Sequence, residues 1–432
     1  MQIESVVNAI TELDSNKKQI IINALKSNNY FLIQGPPGTG KTSFILRYLT
    51  QILFNNTTEN VLLVAYTNRA VEEICANLVK IKSILPTFDF IRIGSPESTQ
   101  YTEHLLSHIE INDFENKISN CRVFVATILT AHSHQELFFI KDIDTIIIDE
   151  AAQILESNVI GLLSKSKRFI MIGDEKQLPP ISIQQDKYLK VNDELLSEIE
   201  LTNLKGSLFE RLLKICKTNN YPAFALLDKQ YRMSNEIMSL ANSLFYDDKL
   251  ILGKEDLVYI KQYDKVIEQS YSEFILAFPF NDNGCFFINT PIEKHSKTNN
   301  AEIEIILKLI DTIKEKMTIN NNTIGVISPW RMQCNAIRNK LNDVDKDKIT
   351  IDTVERFQGS ERDIIILSLA TNSSYLLNIL SNKAVIDEVV VDRKLNVAIT
   401  RARKKLIILG NYEIISQDPI YKKLIDKLNK VV

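Results

Sequence analysis

The sequence is poor in three features that mark specialised classes of protein. Cysteine is scarce, with five residues far apart and no CxxC pair, which argues against a disulfide scaffold and a zinc-finger type of site. Long apolar runs are lacking, since none approaches the ~20 residues of a membrane-spanning helix. The start, "MQIESVVNAITELD", has neither the charge nor the apolar centre of a signal peptide. These features predict a cytoplasmic protein with buried thiols and no membrane association.

Positive charge is also in short supply. The chain has 51 Lys and Arg residues against 54 Asp and Glu residues, a formal net charge of −3. A protein that holds nucleic acid mainly through a general positive field would be basic. If this chain binds nucleic acid, it must therefore use local patches, backbone amides and stacking side chains. The densest basic stretch is "RKLNVAITRARKK" at 393–405.

Apolar residues form two series of short strand-like runs, and helical segments separate the runs. The first series is "YFLIQ" (30–34), "NVLLVA" (60–65), "CRVFVA" (121–126), "IDTIIID" (143–149) and "RFIMIG" (168–173). The second series is "FFIN" (286–289), "TIGVIS" (323–328), "KITIDTV" (348–354), "DIIILSLA" (363–370) and "KLIILG" (405–410). Continuous rather than alternating hydrophobicity is typical of a parallel sheet covered on both faces. We therefore predict an α/β protein with two tandem parallel-sheet domains, 1–226 and 227–432.

A glycine-rich loop, "GPPGTGKT", follows the first strand-like run and precedes a helix-like stretch. It fits Gly-x-x-x-x-Gly-Lys-Thr, in which backbone N–H groups wrap around phosphates and side chains at the glycines would obstruct the ligand. Lys41 would neutralise the β- and γ-phosphates, and the Thr42 hydroxyl would ligate Mg²⁺. The predicted nucleotide-binding loop consists of Gly35, Pro36, Pro37, Gly38, Thr39, Gly40, Lys41 and Thr42.

Two carboxylates end the strand-like run "IDTIIIDEAAQ" (143–153). In a protein with a phosphate loop, Asp149 would bind Mg²⁺ through its water shell, and Glu150 would orient and deprotonate the attacking water. An exposed acidic strand end is the alternative. A catalytic glutamate at this place favours a hydrolase over a kinase, because a kinase must keep water away from the γ-phosphate.

A third strand-to-turn stretch, "IMIGDEKQLPP" (171–180), offers Gln177 as a contact to the γ-phosphate. The order GPPGTGKT, DEAAQ, GDEKQLPP resembles that of superfamily 1 helicases. Four later stretches are similar to the up-frameshift-like branch of that superfamily: "SLFERL" (207–212), "QYRM" (230–233), "TVERFQGSERDIIILS" (353–368) and "LNVAITRARKKLIILG" (395–410). The resemblance covers about residues 19–410. It implies two RecA-like domains with the ATP site in the cleft between them.

The resemblance also implies roles around the nucleotide. Gln19 is similar to the glutamine that hydrogen-bonds the adenine edge, and Tyr231 to the aromatic residue that stacks on adenine; a core tyrosine is the alternative for Tyr231. Arg232 and Arg401 resemble the two arginines that the second domain delivers to the γ-phosphate. Glu361 resembles a residue that helps hold the ribose and phosphate side of the site. For three neighbouring basic residues the family implies no such role, and we expect a solvated face: Arg403, Lys404 and Lys405.

Contacts to a nucleic-acid strand follow from the same resemblance. "VAYTNRAVEEI" (64–74) and "VATILTA" (125–131) resemble motifs whose backbone and hydroxyl groups grip strand phosphates, and "ISPWRMQ" (327–333) takes a corresponding place in the second domain. The side chains implicated are Thr67, Asn68, Thr127, Pro329, Trp330 and Thr353. Trp330, the only tryptophan, either stacks on a base or packs in the core, and the sequence leaves both open.

The motif set belongs to a branch whose members move 5′→3′. The resemblance therefore implies an ATP hydrolase, with ATP and Mg²⁺ as cofactors, that moves along single-stranded RNA or DNA. The chain begins almost directly at Gln19, where larger relatives carry a barrel insertion and regulatory domains, so we expect weak unwinding. A protein partner could supply such accessory domains. The alternative function is a nucleotide-gated switch subunit of a larger complex, with slow ATP turnover that is indifferent to nucleic acid.

Overall fold

The computed structural model describes residues 3–254, 266–267, 284–293 and 297–431, which divide into two compact units. The first unit contains the described residues up to 175 and residues 179–228. The second contains residues 176–178 and the described residues from 229 onward. The break between 228 and 229 lies two residues after the predicted boundary, and the assignment of 176–178 to the second unit has no counterpart in the prediction.

The first unit is built on a seven-stranded sheet in the order β3-β4-β2-β5-β6-β1-β7, and every strand pair in it is parallel. The strands are β1 Tyr30–Gln34, β2 Val61–Ala65, β3 Ile91–Ile93, β4 Val123–Thr127, β5 Ile143–Ile148, β6 Ser166–Gly173 and β7 Phe224–Leu226. Side chains alternate between two cores along β2: Leu63 packs in one apolar cluster, whereas Leu62 and Val64 pack in the cluster on the opposite face. Both faces are therefore covered, which explains the continuous apolar runs.

Helices cover both faces of this sheet, and their starts follow local capping chemistry. Asp14 caps the helix Ser15–Lys26, and Ser207 caps Leu208–Asn219, each through a side-chain oxygen that accepts a backbone N–H. The other helices are Ile3–Asn8, Arg47–Asn56, Asn68–Ile84, Ile111–Asn120, Ile128–Ser133, Leu137–Ile140, Glu156–Leu163 and Glu194–Glu198, with a π-helical turn at Lys41–Leu46 and 3₁₀ turns at Pro96–Ser98, Thr102–His104, Leu106–His108, Ala151–Gln153 and Asp186–Tyr188.

The register of the first sheet brings the functional loops to one edge. At the carboxyl ends of the strands, Gln34 of β1 is paired with Gly173 of β6, and Ala65 of β2 with Thr127 of β4. Val64 of β2 is likewise paired with Ile148, the last residue of β5. The loops that follow β1, β2, β4, β5 and β6 therefore leave the sheet side by side, the place where parallel α/β sheets bind ligands.

The second unit has a similar sheet in the order β10-β18-β11-β17-β14-β12-β13, again with parallel pairs throughout. Its strands are β10 Val266–Ile267, β11 Gly284–Asn289, β12 Ile324–Ile327, β13 Thr350–Asp352, β14 Arg362–Ser368, β17 Ala402–Gly410 and β18 Asn429–Val431. Two smaller pairings accompany it: parallel β8 Lys229–Gln230 with β9 Ile251–Leu252, and antiparallel β15 Lys383–Ile386 with β16 Val389–Asp392.

Alternation along β17 again separates two cores, because Leu406 and Ile408 pack on one face of the sheet and Ile407 and Leu409 on the other. The helices of the second unit are Asn235–Phe245, Asn300–Lys316, Arg331–Lys340, Asp343–Lys348, Val354–Phe357, Ser374–Leu380, Arg393–Ile399, Tyr412–Ile415 and Pro419–Ile425. The prediction of two tandem parallel α/β domains is confirmed. None of the helices in the described part of the chain combines the length and the apolar character that a membrane crossing needs.

Candidate nucleotide and nucleic-acid sites

The phosphate loop follows β1 and is tied to the sheet at its first residue, where the Gly35 N–H donates to the Gly173 carbonyl over 2.8 Å. Gly38 and Gly40 have φ of 77° and 83°, a left-handed conformation that side chains disfavour. A Cβ on Gly40 would also lie 2.5 Å from the ring of Phe44. The two glycines are therefore required by the curve of the loop.

Lys41 begins the helix that leaves the loop. Its Nζ donates to the Gly35 carbonyl over 2.5 Å, and its side chain lies so close to Gly35 that a Cβ there would collide with it. The Gly40 carbonyl accepts two N–H groups, those of Phe44 and Ile45, so the helix starts with a π-type turn. The ammonium group is held inside the curve of the loop, where the phosphates of a nucleotide are expected.

Thr42 and Asp149 meet directly at the carboxyl edge of the sheet. The Thr42 hydroxyl donates to Asp149 Oδ2 over 2.6 Å, and Asp149 is only 2 % exposed. Burial raises the pKa of the Asp149 carboxyl, and the Thr42 hydrogen bond and the Lys41 charge oppose that rise. A buried carboxylate beside a hydroxyl is a donor set that suits Mg²⁺, and a divalent cation would stabilise the ionised carboxylate.

Glu150 is held in an unusual backbone conformation next to this pair. Its φ is 53° and its ψ 35°, in the left-handed region that few residues other than glycine adopt. Its N–H donates to Asp149 Oδ1 over 2.9 Å, and its Oε2 accepts from Gln153 Nε2 over 2.8 Å. Gln153 is not among the site residues predicted from the sequence, although the string DEAAQ places it one turn after Glu150.

A second buried contact ties the start of the loop to the end of β6. Gln34 Nε2 donates to Glu175 Oε1 over 2.7 Å, and Lys217 Nζ lies 3.3 Å from the same oxygen. Gln34 and Glu175 are 5 % and 3 % exposed. This set was not predicted from the sequence, in which only the position of Gln34 immediately before the loop points to it.

Gln19 lies on the helix Ser15–Lys26 with its side chain exposed, and its Nε2 donates to Asn23 Oδ1 on the same helix over 2.8 Å. Its role in binding adenine stays a prediction. The buried residue of this turn is Lys17, whose Nζ forms a 2.6 Å ion pair with Asp14 and lies 5.9 Å from the centre of the Phe44 ring.

The second unit brings two of the residues predicted to act on the nucleotide together. Arg232 forms an ion pair with Glu361. Tyr231, next to Arg232, is half-buried, and its ring lies against the backbone of Gly253, where an added Cβ would come within 2.5 Å of the ring. The Gly253 N–H in turn donates to the Gln230 carbonyl over 2.8 Å.

Arg401 is buried, at 2 % exposure, and its guanidinium is held by several acceptors. Its Nε donates to the Val397 carbonyl over 3.0 Å, and one of its terminal nitrogens lies 3.4 Å from Gln177 Oε1. Gln177 belongs to the three residues that are grouped with this unit. Two side chains predicted to contact the γ-phosphate are therefore neighbours, and their roles stay predictions.

The basic stretch after Arg401 is only partly a solvated face. Arg403 and Lys404 both pair with Asp363, at 2.7 and 3.1 Å, and Lys404 is exposed. The expectation of a solvated face is wrong for Lys405, which is 2 % exposed and lies 5.8 Å from the centre of the Phe286 ring. Its place on β17, between two covered faces, explains the burial.

The candidate strand contacts of the first unit cap two helices at the carboxyl edge. Thr67 Oγ1 accepts from the Ala70 N–H, and Thr127 Oγ1 accepts from the Thr130 N–H, each over 3.1 Å. Asn68 is exposed at the first position of its helix. The helix start at Thr67 and Asn68 has exposed surface that suits the binding of phosphate groups, whereas Thr127 is 8 % exposed.

In the second unit, Pro329 follows β12 and Thr353 follows β13, and these strands are neighbours paired at Ile327 and Asp352. Trp330 is 7 % exposed, and its Nε1 donates to the Leu369 carbonyl over 2.9 Å. Of the two alternatives for Trp330, the structure has the packed one, because its indole N–H and most of its surface are already engaged. A base could stack on this ring only if the ring left its packing.

A family model described as AAA domain matches residues 12–120 and 106–185. A second model with the same description matches residues 204–413. The chain is 31% identical over 454 residues to the DNA replication ATP-dependent helicase/nuclease DNA2 of Bos taurus, which covers 99% of this chain and 40% of the relative. It is 27% identical to the DNA polymerase alpha-associated DNA helicase A of Saccharomyces cerevisiae, over 93% of this chain and 65% of the relative.

The chain thus spans 40% of the length of the Bos taurus DNA2 and 27% of the length of the Saccharomyces cerevisiae DNA2. Among solved structures, the Arterivirus nonstructural protein 10 helicase matches with a TM-score of 0.44 and 13% sequence identity, over 92% of this chain and 63% of that chain. The motifs lie in order on two parallel α/β units. The similarity to the relatives, which are named as helicases, extends over nearly the whole chain. The chain belongs to the superfamily 1 helicases, in their up-frameshift-like branch.

Proposed function

We propose that this chain is the motor of an ATP-dependent helicase or translocase that moves 5′→3′ along single-stranded nucleic acid. One observation carries the proposal: four side chains with the chemistry of ATP hydrolysis lie at one edge of the first sheet. They are Lys41, Thr42, Asp149 and Glu150. The helicase relatives support the same conclusion.

Each of these side chains has a separate task in the proposed reaction. Lys41 neutralises charge on the β- and γ-phosphates, and Thr42 and Asp149 would hold Mg²⁺, which would supply further positive charge to these phosphates. Glu150 accepts the proton of the attacking water, and Gln153, at 2.8 Å, keeps the Glu150 carboxylate oriented. Gly38, Thr39 and Gly40 contribute backbone N–H groups to the phosphates. Pro36 and Pro37 have no N–H to donate, and the Gly35 N–H donates to the Gly173 carbonyl, so these three residues set the start of the loop.

The second unit is proposed to act on the charge that develops during hydrolysis. Arg232 and Arg401 supply positive charge at the γ-phosphate, where an arginine contributes about 10³–10⁵ in rate. Gln177, beside Arg401, responds to the presence of that phosphate. Tyr231 and Glu361 are assigned to the adenine and ribose, and Gln19 to the adenine edge.

Single-stranded DNA is the proposed substrate, because several relatives of the chain are named for DNA replication. The contacts to the nucleic-acid strand are assigned to hydroxyl groups, amides and the proline ring at the carboxyl edges of the two sheets. Contacts of this kind suit an acidic chain, because they do not depend on a general positive field. The side chains are Thr67, Asn68, Thr127, Pro329 and Thr353. A cytoplasmic location, and a partner protein that supplies accessory domains, are further parts of the proposal.

An ATPase titration tests this function. Steady turnover by the wild-type chain should rise severalfold with single-stranded DNA, and less with RNA of the same sequence and length. The Glu150→Gln variant is the matched control, since it should bind the same strands without turnover. Slow turnover that is indifferent to both strands would instead favour a nucleotide-gated switch.

A further inference from the structure

An exposed lysine lies over the face of the only tryptophan. Lys297 Nζ is 5.3 Å from the centre of the Trp330 ring. A cation within about 6 Å of an indole face is attracted by the electron density of the ring. Lys297 is exposed, whereas Trp330 is 7 % exposed. The ring therefore positions the ammonium group of an exposed lysine side chain.

The Trp330 ring is held in place by a hydrogen bond and by apolar packing. Its Nε1 donates to the Leu369 carbonyl over 2.9 Å, and the indole packs with Ala370 and Leu376. Ala370 has a φ of 42°, a left-handed conformation that an alanine rarely adopts. The Ala370 N–H donates to both carboxyl oxygens of Glu302, each over 3.1 Å, which stabilises that conformation. The ring thus rests on a defined backbone corner.

The backbone that carries Lys297 is anchored in the same buried network. The Thr298 carbonyl accepts from Asn372 Nδ2 over 2.9 Å, and the Asn299 N–H donates to Gln333 Oε1 over 3.0 Å. Gln333 Nε2 also donates to Ser368 Oγ over 2.9 Å. Ser368 in turn donates to Glu302 over 2.6 Å, and Glu302 accepts the Ala370 N–H. One network therefore anchors both the backbone that follows Lys297 and the corner on which Trp330 packs.

Lys297 and Trp330 lie at the sheet edge to which we assign the nucleic-acid strand. Lys297 comes after β11, Trp330 after β12 and Thr353 after β13, and the three strands are parallel members of one sheet. The nearby helix start at Asn300 is already covered by a carboxylate, because Glu293 Oε1 accepts the Asn300 N–H over 2.6 Å. The cation, and not these amides, is therefore the group offered to a phosphate here.

We propose that Lys297 contacts a phosphate of the bound nucleic-acid strand. Trp330 positions the Lys297 side chain for this contact and does not stack on a base. This inference rests on the proposed function of the chain. An acidic protein gains little from a general field, so a cation held in place is more useful than many mobile ones. Holding the side chain on the ring also reduces the conformational entropy that it loses when the phosphate binds.

Salt dependence of binding tests the proposal. Lys297→Ala should weaken binding of a single-stranded DNA severalfold at low salt, and equally for different sequences, because a phosphate contact does not read bases. The slope of log K against log salt should decrease in magnitude by about 0.7, the value for one phosphate neutralised on a single strand. Lys340→Ala is the matched control, since Lys340 is an exposed lysine at the far end of the helix Arg331–Lys340.

Replacement of the ring separates the two roles of Trp330. Trp330→Phe retains an aromatic face, so the salt slope should be nearly that of the wild type, with thermal unfolding as a check on the fold. The double variant Lys297→Ala, Trp330→Ala should bind the strand no more weakly than Trp330→Ala alone. An unchanged slope and affinity in Lys297→Ala would overturn the proposal while the proposed function stands. Failure of the wild-type chain to bind single strands at any salt concentration would overturn both.

Discussion

At the scale of the residue, Glu150 shows how a side chain is prepared for one task. Its backbone lies in a region that costs about 1–3 kcal/mol for a residue with a side chain. Two hydrogen bonds, to Asp149 and from Gln153, fix it there. Strain that is maintained by neighbouring groups is found mostly at functional sites, which agrees with the proposed role of Glu150 as the base.

Replacement of Glu150 by Gln tests that role. We expect ATP affinity to be retained, because the phosphate contacts of Lys41 and the loop are unchanged, while turnover at saturating ATP falls about a hundredfold or more. Lys41→Ala should instead lose ATP binding itself. Filter binding of ATP and steady-state turnover distinguish the two variants. Near-normal turnover in Glu150→Gln would show that another group is the base.

Arg232→Ala tests the proposed charge at the γ-phosphate. Turnover should fall by about 10³ or more, whereas affinity for ADP should change little, because ADP lacks the phosphate on which the arginine acts. Lys404→Ala is a suitable control, since Lys404 is exposed and paired with Asp363 in the same unit. Equal losses of ADP affinity and turnover would mean that the Arg232–Glu361 pair only stabilises the fold.

At the scale of the element, the turn from β1 into the following helix depends on glycine. Gly40→Ala should abolish nucleotide binding, because the new Cβ meets the Phe44 ring and φ of 83° is unfavourable for alanine. Gly206→Ala is the matched control, since nothing lies within 4 Å of a Cβ built there. Titration of a fluorescent ATP analogue provides the measurement. Normal affinity in Gly40→Ala would contradict the assigned loop geometry.

The helix Asn300–Lys316 carries the buried carboxyl of Glu302, and this predicts a pH dependence of stability. Burial raises the pKa of Glu302 to about 8, against the hydrogen bonds from Ser368 and Ala370. Between its ordinary value of 4.5 and about 8, the folded state holds a proton that the unfolded state has released. Stability therefore falls as pH rises through this window.

Urea unfolding of wild type and Glu302→Gln at pH 5, 6, 7 and 8 measures this effect. The glutamine has no proton to lose, so the wild type should lose free energy of unfolding relative to the variant as pH rises. A difference that stays constant over the whole range would show that Glu302 is ionised in the folded state at all of these values. The three partners of the residue 302 side chain, Thr290, Ser368 and Ala370, are the same in both proteins.

At the scale of the whole molecule, local sequence pattern predicted most strands and the phosphate loop. The run 30–34 is β1, and the run 60–65 contains β2. These strands could be predicted because a continuous apolar run is visible in the local sequence. The burial of Lys405 and the packing of Trp330 depend instead on neighbours far away in the chain, such as Phe286 and Leu369. No pattern within a short window contains that information.

The assignment of residues 176–178 to the second unit illustrates the same limit. The sequence places these residues directly after β6, and nothing in the string GDEKQLPP indicates which core they join. Leu178 packs with the apolar cluster of the second unit, next to residues that lie more than fifty positions later. Contacts of this kind are decided by the tertiary structure.

Directional movement driven by ATP is the central claim, and displacement of streptavidin from a biotinylated single-stranded DNA tests it most directly. A motor that moves 5′→3′ runs into a block at the 3′ end. We expect rapid, ATP-dependent displacement from the 3′ end, little from the 5′ end, and none with Glu150→Gln. Faster displacement from the 5′ end would contradict the direction. Displacement that needs no ATP, or none from either end despite strand binding, would contradict the motor itself.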